Sequence, residues 1–124
     1  MKILSLFVIA CVLSACGGAG SRDVSYREQI QPLLSTRCVA CHGAEKARGK
    51  IVLASYGELM ASRSVSGRAP LVVPGSPGES KLFILCATDQ AHFRMPPDTS
   101  SVAPLALKDL EHLRDWIKQG AKDN

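Results

Sequence analysis

Apolar positions along the chain fall into short groups separated by polar, Gly-rich and Pro-rich stretches. The first is a continuous run from Ile3 to Leu13 behind a single Lys2. The next is a stripe: Tyr26, Ile30, Leu33, Leu34 and Arg37 recur at the spacing of one helix face. Pro32 interrupts that stripe, and Pro suits the first turn of a helix but not its interior. The pattern therefore predicts a short turn near 25–30 and a helix over 32–41. Residues 43–75 have no sustained period. A short helix near 55–61 is expected there, capped by Ser55 with Glu58 three residues on. Ser76, Pro77 and Glu79 form the pattern of a capping box with Pro at N1 and start a helix that turns Leu82, Phe83, Leu85 and Cys86 inward. In the last helix Ala106, Leu110, Leu113 and Ile117 form one stripe with Trp116 beside it. Lys108, Glu111, Asp115 and Lys118 point away, and Gly120 is the expected stop. No strand pair or internal repeat emerges, so the fold class is all-α.

The run at 3–13 is shorter than the ~20 residues a membrane span needs and has the shape of a signal h-region. It ends in LSAC, which resembles a bacterial lipobox. That resemblance implies lipid on the Cys16 thiol and cleavage before it. The expected organisation is a signal peptide over 1–15, a flexible tether over 16–24 containing GGAGSRD, and one domain over 25–124. An ordinary secretory signal cut slightly later is the other possibility. In both cases the chain is exported, which changes how its cysteines read.

Aromatic residues make only 5% of a chain that is 46% hydrophobic. Rings carry the largest burial per side chain, so a bound macrocycle would supply core volume that the sequence lacks. The formal net charge is +4. The basic residues are scattered and form no long run, which argues against nucleic acid as a partner.

Five cysteines are present. Cys11 leaves with the signal, Cys16 takes lipid, Cys38 and Cys41 form a pair, and Cys86 reads as a small buried hydrophobe. Residues 38–42 read CVACH, and C-x-x-C-H in an exported chain is a haem c attachment site. The thiols add across the two vinyl groups of the porphyrin, and His42 lies under the iron. A redox dithiol needs a strand leading into the motif, and SYREQIQPLLSTR is not one. Zinc needs four ligands. Cys86, His92 and His112 form no second pair.

Met95, in RMPP, is the candidate sixth ligand. Its thioether is soft and neutral and stabilises ferrous iron. Pro96 and Pro97 stiffen the loop beyond it, and a residue before Pro is held extended. Met60, His92 and His112 are the rivals, with His92 the nearest in sequence. Arg94 is a candidate partner for a haem propionate.

Taken together, YREQIQPLLSTRCVACHG, GKIVLAS, VPGSPGESKLF, RMPP and LRDWIKQGA resemble the planctomycete-type cytochrome c domain, within the class I cytochrome c superfamily. The resemblance runs from about Tyr26 to Ala121. It implies a small helical domain wrapped around one covalent haem, held by Cys38 and Cys41 with His42 proximal and Met95 distal. It also implies that the helix at 32–41 crosses the helix at 107–119, bringing Tyr26, Ile30 or Leu34 onto Leu113, Trp116 or Ile117. Ala106 stands where the family often has a Ser or Thr cap, so fraying of the last helix is expected. Family domains are often fused to larger exported proteins, whereas this one reads as a stand-alone lipoprotein. The function implied is one-electron transfer between redox partner proteins in the cell envelope, facing the periplasm or exterior, without catalysis. The alternative is a haem-based sensor or peroxidase-like enzyme with a displaceable Met.

Overall fold

The computed structural model describes residues 22–124. The segment expected to be a signal peptide, Cys16 and most of the expected tether lie outside the described residues. Those described form helices and irregular loops with no strand; two isolated bridges, His42 with Ala47 and Arg63 with Pro70, are the only extended pairings among them. The class is all-α.

Among the described residues five α-helices occur: α1 (Gln31–Arg37), α2 (Val39–His42), α3 (Tyr56–Ala61), α4 (Lys81–Ala87) and α5 (Leu107–Lys118). A wide π-type turn, Tyr26–Ile30, runs straight into α1. Ser25 caps it by accepting the Glu28 amide at 3.2 Å. Pro32 explains the widening. Its ring would meet the carbonyl four residues back in a regular α-turn, and it has no amide to offer. The helix expected to run to Cys41 breaks at Cys38 (φ −125°, ψ −41°) and resumes as α2.

Ser55 caps α3 as the sequence indicated, accepting the Glu58 amide and donating to its carboxylate at 2.8 Å. The capping box at Ser76 does not form. Pro77–Glu79 is a 3-10 turn without a side-chain cap, and α4 starts only at Lys81. The reason is Ser80, which is fully buried. Its hydroxyl accepts the Val73 amide at 2.9 Å and donates to the Ser76 carbonyl at 2.9 Å. These bonds pull the backbone out of helical geometry there and clamp the 71–76 loop onto α4.

The expected fraying of α5 is absent. The helix starts directly after Ala106, whose carbonyl accepts the Leu110 amide at 3.0 Å. Burial of Leu113, Trp116 and Ile117 holds it, with the leucine and the isoleucine each worth about 1.5–3 kcal/mol. Its other end is a Schellman stop: the Gly120 amide meets the Ile117 carbonyl and the Ala121 amide the Trp116 carbonyl, with Gly120 at φ +103°.

α5 packs on the turn that precedes α1 and equally on α4, and Tyr26 meets Trp116 as expected. The Tyr26 and Trp116 rings are 5.6 Å apart, and Tyr56 meets Tyr26 edge-on at 5.2 Å. Polar bonds lock the two ends of the domain together. Gln119 accepts the Val24 amide at 2.8 Å, and the Asn124 side chain accepts the Tyr26 amide at 2.9 Å. Val24 is itself buried.

Candidate haem site

The break at Cys38 shapes the site. α1 delivers the chain to Cys38, and the single turn of α2 swings Cys41 and His42 round to the side that Cys38 faces. The Cys41 and His42 amides bond back to the Cys38 carbonyl at 3.1 and 2.9 Å. Gly43 follows because no side chain fits: a Cβ there would lie 2.8 Å from the Val39 carbonyl oxygen.

Cys38, Cys41, His42 and Met95 all line one cavity of about 220 Å³. Its other walls are mostly apolar: Ile51 and Leu53 after α2, Leu71, then Leu82, Leu85 and Cys86 from α4, and Pro97. Three backbone bonds set these walls. The Leu53 amide donates to the His42 carbonyl at 2.8 Å, the Leu82 amide to the Leu71 carbonyl at 3.1 Å, and the Met95 amide to the Leu85 carbonyl at 2.8 Å. The Met95 loop is thereby pinned to α4.

His42 Nδ1 lies 3.1 Å from the Arg48 carbonyl oxygen. A carbonyl only accepts, so Nδ1 carries the proton and Nε2 keeps its lone pair for a ligand bond. Such an outer partner fixes ring orientation and raises basicity at the other nitrogen. Cys38 and Cys41 are free thiols rather than a disulfide. Burial, with Cys41 beside it, pushes the Cys38 thiol up to about 11 against the opposing pull of Arg37.

His92 is exposed, Met60 packs against the core, and His112 lines a groove with Pro32 and Thr36; none of the three reaches the cavity. Arg94 pairs with Asp98, does not line the cavity, and keeps a buried Nε without a partner. Cys86 is buried as expected but also lines the cavity, and burial together with Cys38 pushes its thiol up to about 12. Arg48 and Val65 also line the cavity, and no motif or periodicity marks them. They arrive from loops without periodicity.

The donor set fits a haem. Two thiols on one turn, an imidazole with Nε2 open and a thioether face a common apolar space. Among the described residues no cluster of three His, Cys, Asp or Glu is arranged for a bare metal ion.

A family model described as Planctomycete cytochrome C matches residues 38–99, half of the chain. Comparison with curated proteins and with solved structures gave no match. The matched span starts at Cys38, contains Met95 and covers α2 through α4. The chain belongs to the planctomycete cytochrome c family.

Proposed function

We propose that the protein is a monohaem c-type cytochrome that carries single electrons at the cell envelope, tethered by lipid on Cys16. Cys38 and Cys41 are the thioether attachment points, and His42 and Met95 the iron ligands. The observation behind this reading is the meeting of both thiols, the open Nε2 and the thioether on one apolar cavity. When bound, the haem supplies one-electron cycling between Fe(III) and Fe(II).

The chain's part is to hold, orient and exclude water. The Arg48 carbonyl keeps the His42 ring in one tautomer, and the Leu85 carbonyl keeps the Met95 loop in place. The leucine and isoleucine walls keep the site at low dielectric. A neutral thioether favours the reduced metal. Carriage rather than catalysis is supported by the position of His92, which stands off the cavity and cannot serve there as an acid or base.

One observation favours a second reading. Met95 is 38% exposed, as a displaceable ligand of a gas sensor or peroxidase-like enzyme would be. Carbon monoxide added to the reduced protein separates the two. The carrier leaves its spectrum unchanged at neutral pH, and Met95→Ala gains carbon monoxide binding and a lower potential. Fast binding by the unmutated protein would establish the sensor or enzyme instead.

A further inference from the structure

The backbone is strained at one place beside the haem cavity. Among the described residues, Lys50 and Ala121 are the non-glycine residues with positive φ, at +61° and +50°. Ala121 belongs to the stop of α5 described above. Lys50 ends no α-helix. It follows Gly49, itself at φ +65° and ψ +15°, so two consecutive residues are left-handed. A Cβ makes that region costly for residues other than glycine. Strained residues of this kind persist where the structure around them over-determines their conformation, and they cluster at functional sites.

What the pair does is turn the Arg48 carbonyl. The Ile51 amide donates to that carbonyl at 3.3 Å. Residues 48–51 are thus a β-turn with positive φ at both central positions, the type I′ form that Gly, Asn and Asp dominate. The same carbonyl accepts from His42 Nδ1 at 3.1 Å, so both of its lone pairs are used. Just upstream, the Arg48 amide donates to the Lys46 carbonyl at 2.9 Å around Ala47, an inverse γ-turn at φ −77° and ψ +69°. Ala47 in turn pairs with His42 across an isolated bridge. Two tight turns in series therefore return the chain over the imidazole. The second also completes the cavity, since Arg48, Gly49 and Ile51 line it and Ile51 is buried. Gly49 has a further reason to lack a side chain: a Cβ there would lie 3.3 Å from Val65 Cγ2.

We infer that Gly49 and Lys50 are positioning residues for His42: their left-handed pair aims the Arg48 carbonyl at Nδ1 and through it sets how strongly Nε2 donates. The inference rests on the haem reading above. A bond accepted from the Nδ1 proton raises the basicity of the other nitrogen, and a more basic ligand favours ferric over ferrous iron. His42 is only half-buried. If the carbonyl swings away, water takes the Nδ1 proton in its place, Nε2 donates less, and the balance moves toward ferrous iron. Lys50 acts here through its backbone and not through its charge.

The test uses the haem-loaded protein and three variants. Lys50→Gly removes the charge and keeps the turn. Lys50→Val removes the charge and disfavours the turn, because a β-branched side chain fits positive φ badly. Gly49→Ala strains the other half of the turn more mildly. The readouts are the reduction potential and, in the reduced protein, the exchange protection of the His42 Nδ1 proton seen by 15N-edited NMR. Lys50→Gly should keep both at their wild-type values. Lys50→Val should lose the protected proton and shift the ferric–ferrous equilibrium about three- to tenfold toward ferrous iron, the range that one exchanged hydrogen bond supplies. Gly49→Ala should shift it the same way by less. If Lys50→Val does not fold, Gly49→Ala set against Lys50→Gly decides alone, and an unshifted Gly49→Ala then overturns the proposal. Equal shifts in Lys50→Gly and Lys50→Val would assign the effect to the lysine charge and overturn it too. So would a folded Lys50→Val protein that keeps the protected proton and the wild-type potential. If the purified chain lacks haem absorption, the haem reading fails, while the Nδ1 proton of the same variants still reports on the turn.

Discussion

Replacing Ser80 by Ala removes one oxygen and should loosen a whole wall of the haem cavity. The Ser80 side chain is completely buried, accepts the Val73 amide at 2.9 Å and donates to the Ser76 carbonyl at 2.9 Å. Alanine fits the space but leaves the Val73 amide without its acceptor. A buried donor stranded in this way costs about 1–3 kcal/mol. Val73 is itself only half-buried, so water reaches part of the loop and the lower half of the range applies, about 1–2 kcal/mol. For a domain of this size each kcal/mol moves the Tm by about 4–8 °C, so a drop near 10 °C is expected. Urea unfolding of the haem-loaded protein, followed by Trp116 fluorescence, measures the midpoint. The slope should stay unchanged, and exposed Ser101→Ala should shift stability by less than about 0.5 kcal/mol. A Ser80→Ala loss as small as that of Ser101→Ala would refute the clamp. The 71–76 loop would then be held by its leucines alone.

Other consequences can be measured in parallel. Because the buried Cys86 thiol is pushed up to about 12 from its ordinary value near 9, the unfolded chain loses that proton first as pH rises. Stability from this group is intact below about pH 9 and declines toward pH 12. Cys86→Ala should flatten that part of a stability–pH curve, and an unchanged slope would show that the thiol does not couple to folding. Cys16→Ser should release the protein to the soluble fraction or block its maturation, as read by fractionation and blotting; normal cleavage with full membrane retention would place the anchor elsewhere.

The helical stripes were legible because periodicity reports burial directly. Ile30, Leu34, Leu113 and Ile117 were all read as inward-facing and are all buried. Boundaries were less legible. Where the Ser80 hydroxyl bonds back to Val73 and Ser76, α4 starts late, and where Pro32 follows the turn, the turn widens. Cys38, Cys41, His42 and Met95 could be picked out as candidates because their chemistry is dense in a few letters, and they line one cavity. The remainder of the cavity could not. Leu53, Leu71 and Leu82 are ordinary apolar residues until the bonds from Leu53 to His42 and from Leu82 to Leu71 bring them round one space.

The intact mass of the purified, denatured protein tests the central claim most directly. If Cys38 and Cys41 hold the haem through thioether bonds, the polypeptide mass is raised by one haem in denaturant, and Cys38→Ser with Cys41→Ser returns it to the bare chain. A wild-type mass equal to the bare chain, or a haem that persists in the double variant, would contradict the account.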